Sequence, residues 1–383
     1  MKQTARIISV YTADVSGVAS ALFELGGMTV MHDASGCNST YNTHDEPRWY
    51  DHDSLVFISA LTEMEAIMGD DEKLIRDVTD AALELRPRFI AIAGTPIPMM
   101  IGTDFQAVAA RVEKNTGIPC FGLKTNSMHS YLSGASMAFE ALAKRLCYRT
   151  LAREKGSGLV NVLGMTPLDF SVNGSDGSIR AWLEENGFAA NSVWAMGGTL
   201  DELMDAGRAD VNLVVSWDGL AAAKYLRQTF GTPYVVGVPI GADFAASLAE
   251  TLGRAADTDE DIVGFEPRPG SWAPEMTIIG ESVYSGSLSS ALWLQEGVSA
   301  RVICPLETED EFLSPGDAAA MDEDELLPLL NGAGIVVADP MYQPVCPAGA
   351  DFRALPSEAF SGRIYRRDIP NLINKTIDVE KMS

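Results

Sequence analysis

The feature that most constrains this chain is a repeated alternation of short apolar runs with longer amphipathic stretches. Residues 89–93 read Phe-Ile-Ala-Ile-Ala, an uninterrupted apolar run typical of a parallel strand covered on both faces. Residues 70–86 place Leu74, Val78 and Ala82 on one helical stripe, and Pro87 follows. Because strand and helix patterns alternate along most of the chain, the sequence predicts an α/β protein with parallel sheets.

Two breaks divide this alternation into three units. One is the Gly/Ser-containing segment 154–158, and the other combines an acidic run with a Pro/Gly-rich run at 257–270. We therefore predict three Rossmann-like domains, each a parallel β-sheet flanked by helices, with limits at 1–155, 156–262 and 263–383. Within the first domain, residues 6–11 are predicted as a buried strand. Three domains of this kind can enclose a ligand at their strand ends.

The overall charge and hydropathy exclude two function classes. The formal net charge of -25 argues against general nucleic-acid binding, which needs a basic surface. No stretch approaches eighteen uncharged apolar residues, so we expect no membrane-spanning helix. The N-terminus runs directly into a predicted strand and lacks the pattern of a signal peptide, which predicts a cytoplasmic protein.

Several common nucleotide and metal motifs are missing from the sequence. The first strand is not followed by Gly-x-Gly-x-x-Gly or by a phosphate-binding Gly-x-x-x-x-Gly-Lys-Ser/Thr loop, so we do not expect the chain itself to bind NAD or hydrolyse ATP. The five cysteines are scattered and form no Cys-x-x-Cys pair, which argues against a disulfide scaffold and a zinc finger.

A small-residue turn carrying a thiol follows the apolar run at 28–31. It contains His32, Asp33, Gly36 and Cys37. Ligands of α/β proteins bind in the loops after the carboxyl ends of parallel strands, so this thiol is a candidate for a metal, a cluster or a partner subunit. The alternative is a buried cysteine acting as a small apolar residue. Position alone leaves both alternatives open.

This loop and the segments after it resemble the nitrogenase component 1-type oxidoreductases. His32-x-x-x-Gly36-Cys37 resembles the family's His-Gly-Pro-x-Gly-Cys loop. Residues 58–69 resemble its Thr-Ser-x-Leu-x-Glu-x-x-x-Ile-x-Gly-Gly segment, and residues 101–104 are similar to its Ile-Gly-Asp-Asp helix start. The family includes nitrogenase subunits, cofactor scaffold proteins and the dark-operative protochlorophyllide reductase.

The resemblance implies one component of a two-component reductase. A separate ATP-hydrolysing iron–sulfur protein would deliver electrons to an iron–sulfur cluster, [4Fe-4S] or a related metallocofactor, at a subunit interface. Cys37 matches a family cluster ligand, with His32, Asp33 and Gly36 as cofactor-binding neighbours. The chain would form a homodimer, or a heterodimer with a paralogous subunit, through its first domain. Its substrate would be a tetrapyrrole or another bulky unsaturated small molecule.

The sequence departs from the family in its thiols. The family usually has a cysteine before the loop and another ahead of Ile-Gly-Asp-Asp, but here no cysteine precedes Cys37, and residues 94–100 contain none. A [4Fe-4S] cluster needs four ligands, and a homodimer supplies Cys37 only twice. The others would be Asp33 or His32, Cys120, or groups of a cysteine-richer partner. The alternative function is a non-catalytic metallocofactor scaffold or a small-molecule binding protein.

Two further residues are candidates for catalysis because each follows a predicted strand end. His129 comes after the strand at 119–123, and its imidazole suits proton donation to a reduced substrate. Cys346 comes after the strand at 335–338, on the expected cleft face. For each, the alternative is a structural or surface position. The remaining thiols are expected to pack in the cores: Cys120, Cys147 and Cys304.

Overall fold

A computed structural model describes residues 5–8, 10–34, 38, 45–265 and 275–378. The chain forms three parallel β-sheets flanked by helices, which confirms the predicted α/β class. None of the described helices has both the length and the apolar character that crossing a membrane requires.

The first sheet has the strand order β2-β1-β3-β4, and every neighbouring pair is parallel. Its strands are β1 (Met28–His32), β2 (Leu55–Ile58), β3 (Ile90–Gly94) and β4 (Cys120–Leu123). Its helices are α1 (Asp14–Leu22), α2 (Glu63–Met68), α3 (Glu72–Leu85), α4 (Pro96–Ile101), α5 (Phe105–Thr116) and α6 (Tyr131–Leu146). The apolar stripe predicted for residues 70–86 is the buried face of α3, which ends at Arg86 in the left-handed conformation.

Helices α1 and α6 approach each other closely because glycines face the contact. A Cβ atom on Gly17 would lie 2.0 Å from the carbonyl oxygen of Tyr131. One on Gly134 would lie 1.7 Å from the carbonyl oxygen of Asp14. Any larger residue at either glycine would force the helices apart. This contact fixes the start of α6, which carries Tyr131.

The second sheet has the strand order β6-β5-β7-β8-β9, again all parallel. Its strands are β5 (Leu159–Met165), β6 (Ala189–Ala195), β7 (Val211–Val214), β8 (Tyr234–Val236) and β9 (Ile262–Val263). Its helices are α7 (Pro167–Phe170), α8 (Ser175–Glu185), α9 (Leu200–Met204), α10 (Leu220–Phe230) and α11 (Ala242–Thr258).

The third sheet has the strand order β12-β11-β10-β13-β14. Its strands are β10 (Met276–Ile279), β11 (Ala300–Cys304), β12 (Ala318–Ala319), β13 (Ile335–Ala338) and β14 (Asp351–Ala354). Its helices are α12 (Ser282–Glu296), α13 (Glu323–Leu329) and α14 (Glu358–Ser361). After α14 the chain returns to the second sheet, where Ile373 forms an antiparallel bridge with Ile240.

The predicted strand at residues 6–11 is wrong. The described part of this segment forms bends, and the side chains of Ile8 and Tyr11 are 68% and 56% exposed. The backbone N–H groups of Tyr11 and Thr12 donate to the carbonyl oxygen of Ala359 in α14. The segment therefore lies against the third sheet's helices instead of adding a strand to the first sheet, in which β1 already has a neighbour on each side.

Candidate functional site

The thiol loop begins at the carboxyl end of β1, between the ends of β2 and β3. His32 ends β1 and Asp33 follows it, with only 3% and 6% of their surfaces exposed. Buried polar groups need hydrogen-bond partners, so the contacts of these two residues define the start of the loop. Gly36 and Cys37 lie outside the described residues, so their predicted cofactor-binding and metal-ligand roles stay predictions.

The carboxylate of Asp33 has a donor on each oxygen atom. Its Oδ2 accepts from Nδ2 of Asn38 at 3.0 Å, and its Oδ1 lies 3.0 Å from Oγ1 of Thr95. The same Thr95 hydroxyl lies 2.9 Å from the backbone oxygen of His32. The backbone N–H of Leu61 donates to the Asp33 carbonyl oxygen. These contacts tie the start of the loop to the residues that follow β2 and β3.

The His32 imidazole is neutral at neutral pH. Its Nδ1 lies 2.8 Å from Oγ of Ser59, and its ring meets the edge of the Phe105 ring. Burial lowers the pKa of His32 to about 4, although the carboxylates of Asp33 and Glu65 oppose that shift. A neutral imidazole retains the lone pair needed for accepting a hydrogen bond or binding a metal.

An exposed apolar surface adjoins the same sheet edge. Helices α2 and α4 follow β2 and β3 and pack against each other. The α2/α4 face is the set of large apolar side chains that these helices expose: Met64, Ile67, Met68, Ile97, Met99, Met100 and Ile101. Met100 reaches 79% exposure. Contiguous exposed apolar surface of this kind marks an interaction site.

The other cysteines do not provide ready thiolates. Cys120, Cys147 and Cys304 are buried as expected, and burial raises the pKa of each thiol to about 12. Cys346 is half-buried, and burial raises its pKa as well. Thiolate, not thiol, is the metal ligand. Within the described ranges, no three His, Cys, Asp or Glu side chains converge closely enough to hold a metal ion.

The two predicted catalytic residues have different surroundings. His129 lies just before α6, with an exposed ring whose Nδ1 is 3.8 Å from Oε1 of Glu307. Cys346 ends the 3-10 helix that follows β13, and its Sγ lies 3.5 Å from the carbonyl oxygen of Tyr342. Neither contact identifies a reacting group, so both catalytic roles stay predictions.

Three carboxylates that sequence analysis did not single out lie between the second and third sheets. Asp169, Asp218 and Glu281 follow the carboxyl ends of β5, β7 and β10, and we call them the acidic chamber. A cavity of about 40 Å³ adjoins them, lined among others by Asp169, Glu281, Tyr284 and Asp339. Each acid comes within four residues of a strand end, so the rule that singled out the thiol loop applies to these positions too.

Hydrogen bonding in the acidic chamber is uneven. Glu281 accepts from the backbone N–H groups of Trp217 and Tyr284, at 3.2 and 2.7 Å. The hydroxyl of Tyr131 donates to Oδ1 of Asp169, whose Oδ2 has no partner in the described structure. Asp218 is 0% exposed, and neither of its oxygens has a hydrogen-bond partner among the described residues.

Burial changes the titration of all three acids. It raises the pKa of Asp169 to about 6 and that of Glu281 to about 7. Burial and the neighbouring carboxylates raise the pKa of Asp218 well above its usual value. The chamber therefore holds protons near neutral pH and gains negative charge as the pH rises.

Comparison with known proteins gives a family match over most of the chain. The model for nitrogenase component 1 type oxidoreductases matches residues 15–285. One of the subunits of the light-independent protochlorophyllide reductase of Synechococcus elongatus is 26% identical over 211 residues, which cover 52% of this chain and 41% of that protein. The nitrogenase iron-molybdenum cofactor biosynthesis protein NifE of Clostridium pasteurianum is 28% identical over 204 residues, covering 52% and 43%. The matched part thus spans less than half of each relative.

The fold is also similar to a solved structure. Nitrogenase Cp1 at pH 6.5 superposes with a TM-score of 0.68 and 15% sequence identity, covering 98% of this chain and 92% of that chain. At this identity the likeness concerns the fold alone.

Proposed function

The chain belongs to the nitrogenase component 1 type oxidoreductase family, and we propose that it acts as a component 1 subunit. In this proposal an ATP-dependent iron–sulfur reductase docks in the cytoplasm and delivers electrons to a metal–sulfur site at a subunit interface. The electrons then reduce a small molecule, tetrapyrrole-like or otherwise unsaturated, held among the domains 1–155, 156–262 and 263–383. ATP hydrolysis belongs to the reductase alone.

The observation that carries the proposal is the pre-organised start of the thiol loop. Both oxygens of Asp33 and the backbone oxygen of His32 have partners before the chain reaches Cys37. A loop fixed in this way presents a thiol in a defined direction, which a metal site requires because ligand geometry determines its stability. Neutral His32 provides a nitrogen next to that thiol.

The described residues alone do not supply the ligands of a [4Fe-4S] cluster. Such a cluster needs four ligands, usually thiolates, and the four described cysteines are protonated at neutral pH. A cluster at this site therefore needs Cys37 together with ligands from a second subunit. Two copies of this chain supply two thiols, and a cysteine-richer paralogue would supply more.

The α2/α4 face supports pairing at that position. It lies at the same sheet edge as the start of the thiol loop, and its exposed methionine and isoleucine side chains would be covered by a second subunit. Burying apolar side chains drives association. A site buried in such a seam is shielded from water and remains close to the docking partner.

A second candidate function is a metallocofactor scaffold. It is favoured by the similarity to NifE, a cofactor biosynthesis protein, and by the shortage of thiolates in the described residues. In this alternative the loop holds a cofactor temporarily and passes it on. Iron would then leave the protein when an acceptor is added, without electron transfer to a substrate.

The proposal is tested by measuring iron and sulfide in the protein purified and reconstituted under anaerobic conditions, together with its EPR spectrum after reduction. Wild type is expected to bind iron and sulfide and to give a cluster signal. Cys37→Ser is expected to lose at least tenfold in metal occupancy because its ligand thiolate is gone.

Cys346→Ser is the matched control, since Cys346 is half-buried in the third sheet's helices, remote in sequence from the loop. It is expected to retain the wild-type metal content. Equal metal content in Cys37→Ser and wild type, or wild type that stays metal-free after reconstitution, would overturn the proposal.

A further inference from the structure

The negative charge of the acidic chamber is not compensated by the protein. Glu281 is balanced by the backbone donors at the start of α12, where its side chain caps the helix. Asp169 has one hydroxyl donor, and Asp218 has none in the described structure. None of the three acids forms an ion pair within the described part of the chain. Leaving a buried carboxylate without a partner is costly, so the chamber requires protons or a cation.

Two fully buried hydroxyls point to a ligand independently of the acids. Ser216 and Thr166 are both 0% exposed, and their hydroxyl oxygens have no hydrogen-bond partner in the described structure. Both hydroxyls lie close to Asp169, and that of Ser216 also lies close to Asp218. Buried polar groups without partners usually indicate a missing water or ligand.

The surplus in this region is of hydrogen-bond acceptors. Among the described residues, three carboxylate oxygens and two hydroxyl oxygens lack partners, whereas Nε1 of Trp217 is a single unpaired N–H donor. A ligand that satisfies the acceptors must bring N–H or O–H donors and positive charge. Since the described acids do not converge as metal ligands do, a donor with individually directed hydrogen bonds fits them better than a metal ion.

We propose that the acidic chamber binds a cation carrying N–H donors, an ammonium or primary-amine group, in the cavity between Asp169 and Glu281. Asp218 supplies the uncompensated negative charge beside them. The cavity of about 40 Å³ has room for a group of a few water volumes, which suits –NH₃⁺ or free ammonium and excludes a bulky organic cation. This site is independent of the proposed electron transfer.

The groups that face the chamber from the surrounding elements make binding stronger as the pH rises. They are Tyr131 of α6, Tyr284 of α12, Asp339 after β13 and Cys304 of β11. The tyrosines and the thiol stay uncharged up to pH 8. The acids alone therefore change charge between pH 5 and 8, and they become more negative.

The test uses the thermal unfolding midpoint of the full chain at pH 8 and constant ionic strength. Ammonium chloride and methylammonium chloride are compared with sodium, potassium and tetramethylammonium chloride. We expect one or both N–H cations to raise the Tm by about 2 °C at saturation over the other salts. The shift should shrink at pH 5, where the acids are protonated.

Two variants and a control locate the effect. Asp218→Asn removes the uncompensated charge and should abolish the ammonium-specific shift, and Asp169→Asn provides the same test if the first variant does not fold. Asp257→Asn, which changes an exposed carboxylate, should retain the shift.

The outcomes separate the sources of the cation and can refute the site. A shift with ammonium only indicates the free ion, and a larger shift with methylammonium indicates the amine group of a longer ligand. Equal shifts with ammonium and potassium would overturn the proposal, because potassium carries no N–H donor. An unchanged shift in the chamber variant would overturn it as well.

Discussion

The start of the thiol loop and the acidic chamber are two buried polar regions at the carboxyl ends of parallel strands, and they differ in hydrogen bonding. Each oxygen of Asp33 has a donor, while neither oxygen of Asp218 has one in the described structure. The comparison teaches that burial alone does not define a binding site. The first region uses its polar groups to fix the backbone, and the second leaves its polar groups available to a ligand.

The two regions also respond to pH in opposite directions. Burial lowers the pKa of His32 and raises the pKa values of Asp169 and Glu281. Acid therefore weakens the loop region, because it charges a buried imidazole. Base weakens the chamber, because it charges buried carboxylates.

The largest expected effect is that of Asp33→Ala. The substitution removes a buried carboxylate and leaves the Asn38 amide without its acceptor, so we expect the free energy of unfolding to fall by about 3 kcal/mol. Urea unfolding followed by circular dichroism measures the change. Asp257→Ala, at an exposed site, should change it by less than about 0.5 kcal/mol. A similarly small change in Asp33→Ala would show that the contacts of Asp33 do not hold the loop.

The pH dependence of stability tests the His32 region. The folded-state pKa of about 4 lies below the unfolded value of 6.5, so the unfolded state binds the proton more readily. The contribution is complete above pH 6.5 and is lost as the pH falls to 4, by up to about 3 kcal/mol. His32→Gln should flatten the stability profile in this window. A profile identical to that of wild type would contradict a neutral, buried His32.

Asp218→Asn should stabilise the protein at pH 8 in sodium buffer. The folded-state pKa of Asp218 is raised, so its carboxyl contributes stability below the unfolded pKa and loses it as the pH rises through the folded value. We expect the variant to gain about 2 kcal/mol over wild type at pH 8, and less at pH 5. Denaturant unfolding at both pH values measures the difference. A loss of stability at pH 8 would mean that Asp218 has a compensating partner.

The smallest expected effect is that of Thr95→Val. Valine keeps the shape of threonine but removes the hydroxyl between Asp33 and the backbone oxygen of His32. We expect a loss of about 1 kcal/mol in urea unfolding, since Asp33 retains Asn38. A loss as large as that in Asp33→Ala would make Thr95 the main support of the loop.

The sequence predicted the parts of the fold in which local pattern and burial agree. The strands at Met276–Ile279, Ala300–Cys304 and Ile335–Ala338 have the predicted bounds, because each is a continuous apolar run in the middle of a sheet. The segment 6–11 has a similar composition, but its backbone bonds to α14. Edge strands such as β12 and β9 have only two residues, too few to form a pattern.

The candidate sites were predictable to different degrees. The thiol loop is one continuous stretch, so residue order alone identified His32 and Asp33 as neighbours of the site. The acidic chamber is assembled from Asp169, Asp218 and Glu281, which are far apart in sequence. Strand-end position marked each of them separately, but only the packing of the second sheet against the third brings them together.

The central claim is that two subunits build the metal–sulfur site, and iron content measured as a function of oligomeric state tests it most directly. Wild type and Met100→Glu, which places a charge on the α2/α4 face, are separated by size under anaerobic conditions while iron and protein mass are recorded. Leu294→Glu, at a partly exposed leucine of α12, is the control. We predict that iron elutes with dimers of wild type and Leu294→Glu, and that Met100→Glu is monomeric and iron-free. A monomer carrying as much iron per chain as the dimer would contradict the claim.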